Sequence, residues 1–174
     1  MKATSIVGRK ENTKLDFYET PAWATQALLD RERFSESVWE PACGAGAMVE
    51  VLEDNGYEVF ATDIQLGENF FTLGKRSRDI ITNPPFNQAE KFVYHALEVG
   101  GNKVAMFLKL TFLESARRYK LFKETPLETV YVFSKRVNLY PFGKEKTKNS
   151  GTIAFAWFVW NKKYQGEPKL RWII

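Results

Sequence analysis

Short apolar runs alternate with helix-forming segments along most of this chain. Alternation of this kind favours an open, mostly parallel α/β sheet, because parallel strands need a crossover connection that a helix usually supplies. Phe70-Phe71 is a candidate short strand, Thr20 is a candidate cap for the first helix, and the tail at 161–174 is a short strand or a loose end. The predicted strands are 37–40, 58–62, 79–82, 104–108, 129–133 and 153–160, and the predicted helices are 20–29, 47–55, 89–99 and 113–124.

The composition narrows the class of protein. Cys43 is the only cysteine, so no internal disulfide can form, and with one histidine no metal site built on His and Cys is expected. That histidine, His95, is predicted to be a surface or hydrogen-bonded helix residue. No apolar run approaches the ~20 residues of a membrane span, and the start of the chain lacks the pattern of a signal peptide. We therefore expect a cytoplasmic protein, and its net charge of +4 is compatible with a nucleic-acid partner.

The predicted strand at 79–82 runs directly into Asn83-Pro84-Pro85-Phe86. Neither proline has an N–H to donate, so the strand must end there, and each proline holds the residue before it in an extended conformation. The stiff loop displays two acceptors, the Asn83 side-chain oxygen and the Pro84 carbonyl, beside the flat ring of Phe86. These groups can hold a planar amino group by its two N–H bonds while its ring is stacked. A proline-rich turn without a functional role is the alternative.

A glycine turn, Glu40-Pro41-Ala42-Cys43-Gly44-Ala45-Gly46, connects the first predicted strand to a helix. Gly44 and Gly46 allow positive φ angles and a close approach of a ligand to the backbone. Asp63 ends the next strand, where an acid in this architecture accepts hydrogen bonds from ribose hydroxyls. Val49 occupies the position of the third glycine of the dinucleotide fingerprint. The turn therefore favours a ligand that has a ribose and no pyrophosphate.

The glycine turn, Asp63 and the Asn83 loop all follow the carboxyl ends of predicted strands. Open α/β sheets bind their ligands in a crevice outside this edge, so the three features are expected to converge. Together they predict one site, in which a ribose-containing ligand lies next to a bound planar amine.

The order of these motifs resembles that of class I amino-group methyltransferases, which use S-adenosyl-L-methionine (AdoMet), and most of all small phage and prophage DNA N6-adenine methyltransferases. Pro41–Gly46 is similar to their AdoMet-binding motif, and Asn83–Phe86 is similar to their catalytic motif. Asp16-Phe17-Tyr18-Glu19-Thr20-Pro21 is similar to their N-terminal motif, which lies against the methionine end of AdoMet. The resemblance covers roughly 16–160.

This resemblance implies a single Rossmann-like class I methyltransferase domain over 16–174, preceded by a flexible basic arm at 1–15. The sheet would be open and mostly parallel with a final antiparallel strand, for which Ile153–Trp160 is the candidate. The implied reaction is transfer of a methyl group from AdoMet to the N6 amine of an adenine that is flipped out of duplex DNA.

The resemblance also assigns roles by position. Asp63 would bind the ribose of AdoMet, Ile64 would pack on its adenine, and Asn69 would contact the adenine edge where the family often has Asp. Asn83 and Pro84 would grip the target amine. The implied cofactor residues are Phe17, Thr20, Pro41, Ala42, Cys43, Gly44, Gly46, Asp63, Ile64, Asn69 and Phe70, and the implied catalytic residues are Asn83, Pro84, Pro85 and Phe86, with Phe86 stacked on the target base.

The segment 134–151 is the candidate for DNA contact, because it is basic and has aromatic residues between its cations. It would bind phosphates, and one of its rings could wedge at the position vacated by the flipped base. A solvated hairpin is the alternative interpretation. The candidate nucleic-acid-binding residues are Lys135, Arg136, Tyr140, Phe142, Lys144, Lys146 and Lys148.

Other functions remain open at this point. The same Asn83 loop could serve adenine in RNA, the N4 amine of cytosine or a glutamine amide in a protein. A non-catalytic nucleic-acid-binding protein that has kept the fold is a further alternative.

Overall fold

The structure, a computed structural model, describes residues 18–139 and 152–174. Its helices are α1 (Ala22–Leu29), α2 (Ala47–Asp54), α3 (Ala89–Val99) and α4 (Ala116–Glu124). Its strands are β1 (Ser37–Glu40), β2 (Glu58–Ala61), β3 (Asp79–Thr82), β4 (Lys103–Lys109), β5 (Leu127–Phe133), β6 (Phe155–Asn161) and β7 (Lys169–Ile173). Short 3-10 turns occupy Ile64–Leu66, Phe70–Thr72, Phe86–Gln88 and Leu110–Leu113.

The strands form a seven-stranded sheet in the order β2-β1-β3-β4-β6-β5-β7. β6 is antiparallel to both of its neighbours, β4 and β5, and every other neighbouring pair is parallel. This confirms the predicted single α/β domain with a mostly parallel sheet and one antiparallel strand, which lies in the segment expected for it. The tail beyond β6 adds β7 at the sheet edge, parallel to β5.

Two apolar layers cover the two faces of the sheet. α1 and α2 pack on one face through residues such as Leu28 and Leu52. α3 and α4 pack on the other face through residues such as Phe92 and Leu121. Successive strand residues alternate between the two layers, because strand side chains have a period of two. The central strands are therefore buried on both faces and carry continuous apolar runs.

β6 shows how the aromatic residues are used. It lies between two other strands and is buried from Phe155 to Trp160. The indole Nε1 of Trp157 donates to the Ala24 carbonyl of α1 at 2.8 Å, and the indole Nε1 of Trp160 donates to Thr125 Oγ1 at 3.0 Å. Each buried indole N–H therefore has a partner, as a buried donor requires.

Two local predictions are wrong. Phe70-Phe71 is part of a 3-10 turn and not a strand, because the Asn69 side chain accepts a hydrogen bond from the Phe71 N–H at 3.0 Å. An asparagine that bonds the backbone two residues ahead stabilises a turn. Thr20 does not cap α1, since Pro21 holds the N-cap position and no side chain makes a capping hydrogen bond there.

Helix α4 begins later than predicted, at Ala116. The Ser115 hydroxyl accepts from the Arg117 N–H at 3.2 Å and so defines the helix start. The residues before it form the separate 3-10 turn Leu110–Leu113. The predicted arm at 1–15 lies outside the described residues. None of the helices in 18–139 and 152–174 is long and apolar enough to cross a membrane.

Replacing Trp157 with Phe tests the contribution of β6 to stability. The substitution removes the donor to Ala24 and leaves a gap where the indole packs, so we expect a loss of about 2–4 kcal/mol in the free energy of unfolding. Trp172→Phe is the matched control, because this side chain on β7 is 64% exposed and its loss should change stability by no more than about 0.5 kcal/mol. Urea unfolding monitored by circular dichroism measures the free energy of unfolding of both variants. Equal losses would contradict the role given to the buried Trp157 indole in stability.

Candidate active site

The sheet order reverses between β1 and β3, since the chain goes from β1 to β2 on one side and then to β3 on the other. Such a reversal opens a crevice at the carboxyl ends of the strands. A cavity of about 500 Å³ lies there, within the range of small-molecule sites. The glycine turn after β1, Asp63 after β2 and Asn83 after β3 all line it.

Most of the predicted site residues that the structure describes are brought together in this cavity. Gly46, Pro84 and Phe86 do not line it, and Phe17 lies outside the described residues. Sequence reasoning missed Tyr18 and Glu40. The predicted residues in the lining are Thr20, Pro41, Ala42, Cys43, Gly44, Asp63, Ile64, Asn69, Phe70, Asn83 and Pro85.

Asp63 fixes the glycine turn against the end of β2. Its Oδ2 accepts from the Gly44 N–H at 3.0 Å, and its Oδ1 accepts from the Gln65 N–H at 2.8 Å. The turn itself needs glycine, because Gly44 and Gly46 have φ angles of 53° and 91°. Each carboxylate oxygen of Asp63 has a second lone pair, so the carboxylate can hold the turn and still accept from a ligand.

Ile64 and Asn69 complete the same side of the cavity. Ile64 is 60% exposed, an apolar side chain that a flat ligand would cover. The Asn69 side-chain oxygen accepts from the Phe71 backbone. Its amide nitrogen donates no hydrogen bond within the described part of the chain.

Glu40 is the most perturbed group in the site. It ends β1 and is 1% exposed, and its Oε1 accepts from Thr82 Oγ1 at 2.5 Å and from the Ala42 N–H at 3.1 Å. Burial raises the pKa of Glu40 from 4.5 to about 8, with a smaller contribution from the Asp63 charge, against the two hydrogen bonds. The position of Glu40 at the end of a strand, directly before Pro41, was the feature of the sequence that could have identified it as a site residue.

The Asn83 amide has a fixed orientation. Its Nδ2 donates to the backbone carbonyl of Tyr18 at 3.0 Å, so its Oδ1 is the atom presented on the other side. Within 18–139 and 152–174, Oδ1 accepts no hydrogen bond, which leaves an acceptor at the cavity for a bound donor.

The ring of Phe86, at the end of the Asn83 loop, lies among other aromatic rings. Tyr18 stacks on it at a centroid distance of 6.3 Å and an interplanar angle of 27°. Phe155 lies 5.7 Å away at 36°, and Lys109 Nζ lies 4.6 Å from the ring centroid. The loop is therefore bordered by an aromatic surface that carries one cation.

Two of the predicted nucleic-acid-binding residues lie at this edge, directly after β5. Lys135 Nζ is 5.2 Å from the centroid of a Trp23 ring. Arg136 Nη1 donates to the Thr152 carbonyl at 2.9 Å. The other candidates lie outside the described residues: Tyr140, Phe142, Lys144, Lys146 and Lys148.

His95 and Cys43 have separate surroundings in the structure. His95 Nε2 is 2.9 Å from the Phe70 carbonyl, as expected for a hydrogen-bonded helix residue. Burial, together with the charges of Glu40 and Asp63, raises the pKa of Cys43 to about 11, so its sulfur stays a thiol. The described part of the chain contains no group of three His, Cys, Asp or Glu residues placed to hold a metal ion.

Thr20 provides a test of whether the cavity fits a ligand. It is 4% exposed and lines the cavity, and its Oγ1 has no hydrogen-bond partner among the described residues. A buried hydroxyl without a partner is costly. A polar ligand group in the cavity would satisfy it.

No protein-family model and no curated protein matches the chain, but solved structures share its architecture. A modification subunit assigned to a type I restriction enzyme from Vibrio vulnificus YJ016 matches with a TM-score of 0.57 and 17% identity, over 87% of this chain and 45% of that one. The 23S rRNA methyltransferase ErmE matches with a TM-score of 0.54 and 14% identity, over 87% and 71%. A Listeria monocytogenes protein assigned as a class I S-adenosylmethionine-dependent methyltransferase matches with a TM-score of 0.56 and 11% identity, over 94% and 68%.

Identities this low show a shared fold. The chain therefore has the Rossmann-like fold of class I methyltransferases, which confirms the fold predicted from the motif order. It spans less than half of the length of the Vibrio subunit.

Glu40→Gln tests the buried carboxyl through the pH dependence of stability. Because its pKa is raised in the folded state, the folded protein keeps a proton that the unfolded chain releases between pH 4.5 and about 8. The free energy of unfolding should therefore fall as the pH rises through this window, by up to ~1.4 kcal/mol per pH unit, and then level off. Glutamine mimics the neutral acid and should remove this part of the decline.

Urea unfolding at intervals across the same window measures the effect. Glu53→Gln is the control, because Glu53 is exposed on α2 and its replacement should keep the pH dependence of the unmodified protein. A parallel decline in Glu40→Gln and the unmodified protein would show that Glu40 is ionised throughout.

Proposed function

We propose that this protein transfers a methyl group from AdoMet to the exocyclic N6 amine of adenine in DNA, after the base has flipped out of the duplex. The single observation that carries the proposal is the Asn83 amide, whose nitrogen donates to Tyr18 and whose oxygen remains as an acceptor beside the cavity. The class I methyltransferase fold supports the choice of cofactor.

The cavity residues suit AdoMet in their chemistry. Asp63 would accept from the ribose hydroxyls, and Ile64 would pack on the adenine of the cofactor, with Phe70 and Asn69 on its edge. Thr20 would satisfy its unpaired hydroxyl with the methionine end. The remaining contacts to the methionine part would come from the glycine turn and the N-terminal motif, with Pro41, Ala42, Cys43, Gly44, Gly46 and Phe17.

AdoMet supplies a methyl group that is already activated by its sulfonium, so the protein has mainly to position the acceptor. The adenine amine is a poor nucleophile, because its lone pair is conjugated into the ring. Asn83 Oδ1 and the Pro84 carbonyl would accept its two N–H bonds and favour a pyramidal nitrogen. Catalysis would then consist of orientation and of electrostatics matched to the charge that develops on nitrogen. Pro85 would keep the loop stiff.

Base flipping is required because the amine is not accessible inside a duplex. Extrusion costs a few kcal/mol, and stacking of the base on Phe86 would return roughly 1–3 kcal/mol. Lys135 and Arg136 lie at the same edge as this loop and would contact phosphates, with Tyr140, Phe142, Lys144, Lys146 and Lys148 as further candidates. The resemblance to a restriction-modification subunit favours DNA.

Adenine in RNA is the second candidate substrate, because one structure with this fold is a 23S rRNA methyltransferase. Transfer from labelled AdoMet to unmethylated duplex DNA, single-stranded DNA, RNA and protein, measured in parallel, separates the candidates. We expect label in DNA, located at N6 of adenine by nucleoside analysis. Label in RNA alone would favour the second candidate, and label in protein alone would exclude a nucleic-acid substrate.

Asn83→Ala should nearly abolish methyl transfer, because the amine loses one of its two acceptors and with it the geometry that favours a pyramidal nitrogen, while AdoMet affinity stays within a few-fold. Initial rates with labelled AdoMet and calorimetric titration measure the two quantities. Asn102→Ala is the control, since Asn102 is exposed and lies before β4 at the opposite edge of the sheet. Turnover that survives largely intact in Asn83→Ala would remove Asn83 from the proposed role.

Asp63→Ala should weaken AdoMet binding, because it removes the acceptor for the ribose and releases Gly44 and Gln65. A loss of roughly 1.5–3 kcal/mol in binding free energy is expected for each charge-assisted hydrogen bond that the ribose makes to this carboxylate. Asp54→Ala, an exposed change at the end of α2, should bind as the unmodified protein does. An unchanged dissociation constant for Asp63→Ala in a folded protein would exclude Asp63 from the site.

A further inference from the structure

Lys109 is a half-buried cation next to the ring proposed to stack the target base. It is the last residue of β4, at the sheet edge where Phe86 lies, and its Nζ is 4.6 Å from the centroid of the Phe86 ring. Within the described residues, no carboxylate lies within ion-pair distance of Lys109 and no hydrogen bond holds its ammonium.

The lysine at the other end of the same strand shows the contrast. Lys103 Nζ lies 2.6 Å from Glu32 Oε2 in a partly buried ion pair. A partly desolvated cation is normally paired in this way, whereas among the described residues Lys109 contacts the electron-rich face of the Phe86 ring and no carboxylate.

A base cannot stack on the part of Phe86 that Lys109 covers until the ammonium leaves. The cation–π contact is worth roughly 0.5–2 kcal/mol, whereas base stacking on an aromatic side chain is worth roughly 1–3 kcal/mol. The exchange is therefore feasible for a flexible lysine side chain. No carboxylate of the described residues lies within ion-pair distance of Lys109, so an anion supplied by the ligand would hold the displaced ammonium. A flipped nucleotide brings one, because its own backbone phosphates flank the base.

We propose that Lys109 is a nucleic-acid-binding residue that covers Phe86 in the free protein and moves to a backbone phosphate of the target nucleotide when the base stacks. This inference rests on the proposed function, since it requires a base at Phe86. Lys135 and Arg136, which follow β5 at the same edge, would extend the contact along the strand.

Lys109→Met tests the phosphate contact. Methionine keeps the length and the apolar contact with Phe86 and removes the charge. We expect the dissociation constant for a short labelled duplex of mixed sequence to rise about 5- to 10-fold at low salt, and the slope of log K against log salt to become shallower by about 1. The affinity for AdoMet should stay within about two-fold, because Lys109 does not line the cavity proposed to bind the cofactor.

Two variants serve as controls. Lys109→Arg keeps the charge and should keep the salt slope. Lys163→Met removes an exposed lysine after β6, at the opposite edge of the sheet, and should leave both affinity and slope unchanged. A Lys109→Met protein with the salt slope of the unmodified protein would overturn the inference.

The movement of the ammonium has its own readout in protein labelled with ¹³C-lysine. The Cε methylene signal of Lys109, assigned by its absence in Lys109→Arg, should be shifted upfield by the Phe86 ring in the free protein. Addition of duplex DNA and AdoMet should return it toward the position of an exposed lysine. A signal that stays upfield in the complex would overturn the movement.

Failure of this inference can be distinguished from failure of the proposed function. If the unmodified protein binds and methylates DNA while Lys109→Met behaves in the same way, the inference alone is wrong. If the unmodified protein binds AdoMet and neither binds nor methylates any nucleic acid, the proposed function is wrong and the role of Lys109 falls with it.

Discussion

The hydrogen bond between Glu40 and Thr82 joins β1 and β3 at the point where the sheet order reverses. The reversal opens the crevice, and the bond holds its two walls together. The same carboxyl also accepts from Ala42, so it fixes the start of the glycine turn. The positions of Gly44, Asp63 and Asn83 relative to one another all depend on these two strands.

Burial of the Glu40 carboxyl determines its charge. A carboxyl with a pKa of about 8 is mostly neutral at pH 7, so it joins the strands without placing a bare charge in the core. The cavity therefore carries one buried acid that is mostly neutral, Glu40, and a second acid, Asp63, that holds the turn. A ligand that carries positive charge would favour the ionised form of Glu40, and AdoMet is such a ligand. The electrostatics of the cavity and the proposed cofactor are thus consistent.

The sequence predicted the fold and the convergence of the strand-end residues at one cavity, because both depend on local signals. Apolar periodicity marks the strands, and residues directly after parallel strands meet at one edge. The contacts that were missed are long-range. The bond from Asn83 to Tyr18 joins residues far apart in the chain, and the pKa of Glu40 depends on what covers it. The strand predicted at Phe70-Phe71 was wrong because the high strand propensity of phenylalanine is outweighed by the hydrogen bond that the Asn69 side chain accepts from the Phe71 N–H.

Tyr18 connects the two halves of the candidate site. Its carbonyl orients the Asn83 amide and its ring stacks on Phe86, while Thr20, two residues on, borders the cavity. The orientation of Asn83 depends on the backbone of Tyr18 and not on its side chain, so the ring and the carbonyl act separately. A ligand that bonds Thr20 would immobilise the same segment that aims the Asn83 oxygen. Binding of the proposed cofactor and capture of the proposed amine would therefore be coupled through 18–20.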